Sequence, residues 1–180
     1  MNLRVIAGRF GGRTIAAPDG RGTHPMSERA RGALFNSLGA SVTNAVVLDA
    51  FAGTGALGIE AISRGARHAT FIERDRRAQL VLADNIKTLD IADQSKLIKA
   101  SVSAWVDTYD GRPFDLIFAD PPYHDLQLST VFLLMGLLKP GALMVLSHPG
   151  RHESPTKTGV VVVDNRSYGD AALTFYRLEE

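Results

Sequence analysis

Val46-Val47-Leu48-Asp49-Ala50-Phe51-Ala52-Gly53-Thr54-Gly55-Ala56-Leu57-Gly58 runs from an apolar stretch, through a glycine loop, into the start of an apolar helix. An apolar run closed by such a loop reads as a strand buried on both faces. Gly53 and Gly55 let the backbone come close to a ligand, and Gly58 permits tight helix packing. This is one strand–loop–helix unit, and the chain on either side tests whether it is repeated.

Downstream it is. A helix from Leu57 to Arg64 ends at Gly65, followed by a strand at Thr70-Phe71-Ile72, a helix from Asp75 to Leu89 and a strand at Lys96-Leu97-Ile98. A further strand at Leu116-Ile117-Phe118 precedes a helix from Leu126 to Leu138, stopped by Pro140-Gly141, and a strand at Leu143-Met144-Val145-Leu146. Strands alternating with helices predict a doubly wound, mostly parallel sheet of the α/β class. Val160-Val161-Val162-Val163 and Leu173-Thr174-Phe175-Tyr176 are joined by turn-like residues from Asn165 to Asp170, with no room for a crossover helix. They are expected to form an antiparallel pair at the sheet edge. The polar loop from His148 to Lys157 carries no legible role.

Upstream, Val5-Ile6-Ala7 and Thr14-Ile15-Ala16 flank the turn-rich Arg9-Phe10-Gly11-Gly12-Arg13, which predicts a small hairpin with arginines at its tip. After a loop containing Pro18, Gly20 and Gly22, Ser27 caps a helix that runs through Arg29, Arg31 and Phe35 to Leu38 and stops at Gly39. The domain reading is a basic hairpin extension over residues 1–22 and a main domain over residues 23–180.

At 180 residues, with 45% hydrophobic and 22% charged content, the chain is expected to fold as one main globular domain with small additions. The absence of cysteine excludes disulfides, thiolate zinc sites and cysteine nucleophiles, and suits a reducing cytoplasm. No apolar run approaches membrane-spanning length, and the opening segment lacks the apolar core of an export signal, so neither membrane nor export is expected. The net charge of +1 hides an asymmetry. Arg4, Arg9, Arg13, Arg21, Arg29 and Arg31 face only Asp19 and Glu28 between Met1 and Leu38. Arginine holds phosphate oxygens bidentately, so an anionic polymer is a plausible partner, although a merely solvated basic face fits equally well.

The glycine loop also satisfies GxGxxG, which admits a nicotinamide dinucleotide with its pyrophosphate on the helix N-terminus. Glu73, closing the next strand, suits ribose hydroxyls under either reading. Asp49 favours a cationic ligand such as the amino group of S-adenosylmethionine, because a carboxylate beside a pyrophosphate would repel it. Ser101, just past the third strand, suits either an adenine contact or a plain helix cap.

Phe114-Asp115-Leu116-Ile117-Phe118-Ala119-Asp120-Pro121-Pro122-Tyr123 puts Asp-Pro-Pro-Tyr at the carboxyl end of a buried strand, where open α/β sheets build their sites. An amino group on a nucleic-acid base is a poor nucleophile because its lone pair is delocalised into the ring. Hydrogen bonds to Asp120 and to the Pro121 carbonyl would orient it, Pro121 and Pro122 would hold the loop without competing donors, and Tyr123 would stack on the base. The plain alternative is a strand ended by prolines in which Tyr123 only caps the core.

The combined motifs resemble the amino-methyltransferase group of Rossmann-like enzymes. The whole chain resembles the RsmD family of 16S rRNA guanine-N2 methyltransferases, from Arg4-Val5-Ile6-Ala7-Gly8 through Pro25-Met26-Ser27-Glu28-Arg29-Ala30-Arg31, Leu34-Phe35-Asn36, the glycine loop, Glu60-Ala61-Ile62-Ser63-Arg64-Gly65-Ala66 and Asp120-Pro121-Pro122-Tyr123 to Tyr168-Gly169. The resemblance implies a seven-stranded methyltransferase sheet, a hairpin extension that engages RNA, and methylation of one guanine in small-subunit rRNA, assembled with ribosomal proteins. It implies S-adenosylmethionine (product S-adenosylhomocysteine) held by Asp49, Phe51, Ala52, Gly53, Thr54, Gly55, Gly58, Glu73, Arg74, Ser101 and Asp120. The catalytic set is then Asp120, Pro121, Pro122 and Tyr123, with Arg4, Arg9, Arg13, Arg29 and Arg31 on RNA phosphates. No metal-ligand cluster is evident in the sequence, and a monomeric chain is expected. Met26, Gly32 and Ser147 depart from the family pattern, which more often has threonine, glutamate and an acidic residue there.

Two other readings stand beside this one. Asp-Pro-Pro-Tyr also serves DNA adenine-N6 methylation, disfavoured by the lack of a separate target-recognition domain. A non-catalytic ribosome-assembly factor could keep the fold as scaffold, disfavoured by the intact Asp120–Tyr123 stretch.

Overall fold

The computed structural model describes residues 2–18, 25–150 and 154–179. The chain begins with a two-stranded antiparallel ribbon, β1 (Asn2–Arg4) and β2 (Thr14–Ala16), in which Leu3 faces Ile15. Helix α1 (Glu28–Leu38) is capped by the Ser27 hydroxyl, which accepts from the Ala30 amide, and ends at Gly39 with φ +50°.

The alternating region follows as β3 (Val46–Ala50), α2 (Ala56–Ser63), β4 (His68–Glu73), α3 (Arg76–Thr88), β5 (Ser95–Lys99), α4 (Val102–Thr108), β6 (Phe114–Ala119), α5 (Leu128–Met135) and β7 (Leu138–Pro149). The hairpin of β8 (Val160–Tyr168) and β9 (Ala171–Leu178) completes a seven-stranded sheet in the order β5-β4-β3-β6-β7-β9-β8. Strands β3 to β7 pair in parallel, whereas β9 pairs antiparallel with both β7 and β8. The strand order reverses between β3 and β6, the place where open α/β sheets leave a crevice beyond their carboxyl ends.

Several boundaries differ from the sequence expectation. The ribbon's first strand is Asn2–Arg4 rather than Val5–Ala7, because the Ile6 and Ala7 amides donate to the buried Glu60 carboxylate instead of to a strand. Helix α5 stops at Met135, and Pro140-Gly141 lie inside β7, at the irregular stretch where its register with β6 shifts between Phe114 and Leu116. A proline is tolerated in a strand at such a bulge. The last hairpin turns at Gly169-Asp170, so both strands outrun the expected segments. Helix α4 follows Ser101, which caps it as one of the two sequence readings allowed. His148 and Pro149 belong to β7 rather than to a loop. Gly20 and Gly22 of the expected loop, and Arg21, lie outside the described residues.

The core explains why the extension is no separate body. Val5, Phe10 and Ile15 bury into the same apolar cluster as Leu34, Phe35, Val47, Ile59, Phe71 and Phe118, with the Phe35 and Phe118 rings 5.4 Å apart. A boundary at residue 22 would cut through this cluster. The other sheet face is closed by Val102, Val106, Val131 and Leu134 of α4 and α5 against Leu48, Ile72, Ile117 and Met144. Among the described residues, no helix is long and apolar enough to cross a membrane.

Candidate active site

Registered pairing of Ala50 with Ala119 puts the glycine loop after β3 beside Asp120 after β6. Glu73 closes β4 and Ser101 follows β5 at the same end of the sheet. Four stretches far apart in sequence therefore converge because parallel pairing aligns the carboxyl ends of their strands.

The loop leaves β3 through left-handed backbone at Phe51 (φ +59°), Gly53 (+57°) and Gly55 (+84°). A positive φ at Phe51, which has a Cβ, is strained and is held by its surroundings. The Ala52 amide donates to the Ile72 carbonyl at 2.9 Å, and the Gly53 amide to Glu73 Oε1 at 2.7 Å. Glu73 Oε2 accepts from the Asp75 amide, so this carboxylate clamps both loops while keeping spare lone pairs. Asp49 is buried, with Oδ2 accepting from the Gly58 amide at 2.9 Å, which ties it to the start of α2. A Cβ on Gly58 would overlap the Phe71 ring, so only glycine lets α2 lie this close to β4, whereas a Cβ on Gly53 would enter open space. Thr54 is buried, Arg74 is exposed, and Ser101 caps α4 by accepting from the Ala104 amide at 3.2 Å.

The electrostatics point to a cation. Burial pushes the Asp49 carboxyl well above the usual range, opposed by the Gly58 amide and reinforced by the nearby charges of Asp120 and Glu73. Asp120 is pushed up to about 6 by burial, opposed by a hydrogen bond from Ser147. Carboxyl groups crowded this way release their protons more readily once a positive group sits among them. The glycine cradle and this acidic wall together fit S-adenosylmethionine, whose ammonium and sulfonium are both positive.

Beyond Asp120, Pro121 is buried, Pro122 half-buried and Tyr123 41% exposed. The Asp125 amide bonds back to the Pro122 carbonyl at 3.0 Å and closes a tight turn. Tyr123 presents its ring to solvent, while its hydroxyl is pinned 2.6 Å from the Ser147 hydroxyl on β7. Tyr123 is thus not a core cap.

The five candidate phosphate-binding arginines separate. Arg29 is exposed, and Arg4 is exposed but forms a two-bond pair with Glu28, both bonds 2.9 Å. Arg9 and Arg13 lie over the Phe10 ring, at 4.4 and 5.7 Å from its centroid, and donate to the Gln94 side chain and the Thr88 carbonyl. Among the described residues neither is paired with a carboxylate. Arg31 is 1% exposed, donating to the Arg4 carbonyl and to Glu60, so it braces the interior and does not line the basic face.

Three residues that matter here drew no role from sequence: Glu60, Asn85 and Ser147. The first two had a usable signal, since each is a polar residue set among apolar positions of its helix, and a buried polar group needs a specific partner. Ser147 stood out only as a departure from the family pattern, because its bond to Tyr123 depends on β7 lying beside β6. Among the described residues, no group of acidic or histidine side chains is arranged to hold a metal.

Comparison with known proteins agrees with this architecture. A family model described as conserved hypothetical protein 95 matches residues 3–177. The putative rRNA methyltransferase YlbH of Bacillus subtilis is 31% identical over 97% of this chain and 98% of its own. Ribosomal RNA small subunit methyltransferase D of Escherichia coli is 39% identical over 67% of this chain, a match spanning 60% of that protein. Among solved structures, a putative methyltransferase from Escherichia coli superposes with a TM-score of 0.90 at 32% identity, covering 99% of both chains. A putative methylase from Haemophilus influenzae gives 0.85 at 30% identity over the full length of both. With the model spanning almost the whole chain and these relatives aligned along it, the chain belongs to the conserved hypothetical protein 95 family, that of the RsmD methyltransferases.

Proposed function

We propose that this protein transfers a methyl group from S-adenosylmethionine to the exocyclic N2 amino group of a guanine in 16S ribosomal RNA. The observation that supports the reading is the pairing of Ala50 with Ala119, which brings the glycine loop after β3 beside Asp120-Pro121-Pro122-Tyr123 after β6. The relatives' names supply the substrate class.

Asp49, the loop from Phe51 to Gly58, Glu73 and the neighbouring Arg74 and Ser101 would hold the cofactor, which supplies an electrophilic methyl on a positive sulfur. Glu73 has lone pairs left for ribose hydroxyls after bonding two amides. Ionised Asp120 accepts one N–H of the flipped-out guanine's amino group and the Pro121 carbonyl accepts the other, aligning the nitrogen lone pair with the methyl. No strong base is needed beforehand, because the nitrogen becomes acidic only as the methyl arrives, and Asp120 or water then takes its proton. Tyr123, anchored at its hydroxyl, offers its exposed ring as a stacking surface for the base, a contact worth about 1–3 kcal/mol.

Exposed Arg29, with Arg4, Arg9 and Arg13 on the extension, would bind phosphates around the extruded nucleotide. The chain would act as a monomer in the cytoplasm, on an assembling small-subunit particle. Transfer of labelled methyl from S-adenosylmethionine to small-subunit particles, free rRNA and duplex DNA, followed by nucleoside analysis, tests this directly. N2-methylguanosine in RNA is the expected product. N6-methyladenine in DNA, or cofactor binding with no transfer to any substrate, would overturn the reading.

A further inference from the structure

Asn85, on α3, is 3% exposed and touches two parts of the protein to which separate tasks fall. Its Oδ1 accepts from the Ala16 amide at 2.9 Å, and its Nδ2 donates to the Ala16 carbonyl at 3.0 Å, so the carboxamide pairs with β2 as a neighbouring strand would. The same Nδ2 donates to the Thr54 carbonyl at 3.2 Å, inside the glycine loop. Both Nδ2 hydrogens are therefore committed, one to the extension and one to the loop.

The surroundings make this contact stiff. Leu82, one turn earlier on α3, is buried and lies where a Cβ on Gly55 would have to go, so α3 supports the loop at Thr54 and Gly55 together. Thr54 is itself buried, and the Gly55 amide is bonded to the Ala52 carbonyl. Two further anchors of the extension, Glu60 and Ser63, act on residues 6–10 from α2 and bond to nothing in the loop itself. Among the described residues, Asn85 is the one side chain hydrogen-bonded both to the extension and to the glycine loop.

We propose that Asn85 is a positioning residue that couples the two: by bonding Ala16 and Thr54 through one carboxamide, it makes cofactor affinity depend on the seating of β2, and the seating of β2 depend on the cofactor. The proposal rests on the cofactor reading of residues 51–58. Coupling is reciprocal, so RNA that engages the arginines of the extension tightens the cradle, and a loaded cradle firms the extension. Cofactor and RNA binding then favour each other without a direct contact.

Hydrogen exchange on the unaltered protein is the first test, with S-adenosylhomocysteine as the probe. The expected result is slower exchange at residues 51–58 together with slower exchange of the Ala16 amide. Calorimetric titration of the same ligand then compares Asn85→Asp, which removes both donations, with Ala16→Pro, which removes the amide bonded to Oδ1. Each substitution should weaken binding by between about 5- and 150-fold, the usual span for coupled sites. The double variant should be no more than about twofold weaker than the poorer single variant, because both break one linkage. Protection confined to residues 51–58, or variants that lose thermal stability but bind the ligand as before, overturns the coupling and leaves the cofactor reading intact. Absence of protection at residues 51–58 removes the cofactor reading itself, and the coupling with it. If a variant fails to fold, the exchange experiment on the unaltered protein still decides.

Discussion

Replacing Glu60 by alanine should be the most damaging single change outside the candidate active site. Its side chain is fully buried on α2 and accepts from the Ile6 amide at 2.9 Å, the Ala7 amide at 3.1 Å, Arg64 Nε at 2.8 Å and Arg31 Nη1 at 3.4 Å. Truncation leaves two backbone amides and a buried guanidinium without their acceptor. Removing one partner of a buried ion pair typically costs about 3–5 kcal/mol. Two hydrogen bonds to a charged acceptor, at about 1.5–3 kcal/mol each, reach the same range independently. For a chain of this size each kcal/mol lowers the melting temperature by about 2–4 °C, so Glu60→Ala should melt about 6–20 °C below the parent. Thermal and denaturant unfolding by circular dichroism measure it. Pairing the change with Arg31→Met, which removes the stranded charge, should recover part of the loss. A loss below about 1 kcal/mol, or a double variant worse than the sum of the singles, would refute the view that this carboxylate fastens the extension to the sheet.

Four further outcomes concern the site. Asp120→Asn should abolish methyl transfer while keeping S-adenosylhomocysteine affinity within a few-fold, as read by calorimetry. Because the folded state raises the Asp120 carboxyl to about 6, its contribution to stability is present at low pH and lost as pH rises from about 4 through 6; Asp120→Asn should therefore be more stable than the parent above pH 6. Activity runs the opposite way, since orientation needs the ionised carboxylate. The single-turnover rate should fall as pH drops through about 6, and Ser147→Ala, which deletes the bond that lowers this pKa, should move that acid limb to higher pH. Gly58→Ala drives a methyl group into the buried Phe71 ring, so it should cost about 1–3 kcal/mol in unfolding experiments and weaken ligand binding, because the Gly58 amide also holds Asp49.

Local signals in the chain were enough for its class and for the stretches that matter. Alternating apolar runs and helical segments require covered parallel strands, and Asp49 to Gly58 with Asp120 to Tyr123 are contiguous stretches whose residue types carry their chemistry wherever they fold. Boundaries were less legible where tertiary bonding overrides propensity. Val5-Ile6-Ala7 has the composition of a strand, yet the Ile6 and Ala7 amides belong to Glu60, and Pro140-Gly141 looks like a helix stop yet sits in an irregular stretch of β7.

Sequence by itself determined the sheet type, the glycine loop and the Asp-Pro-Pro-Tyr stretch, because each is written in neighbouring residues. The tertiary structure alone decided which arginines meet solvent, what pins Tyr123, and how the extension is held. Arg31 and Arg29 stand two residues apart on one helix, but α1 packs so that the first is buried against Glu60 while the second is exposed. Ser147 and Asn85 acquire their partners 24 and 69 residues away. Such pairings depend on strand order and helix packing, which align residues that no local pattern connects.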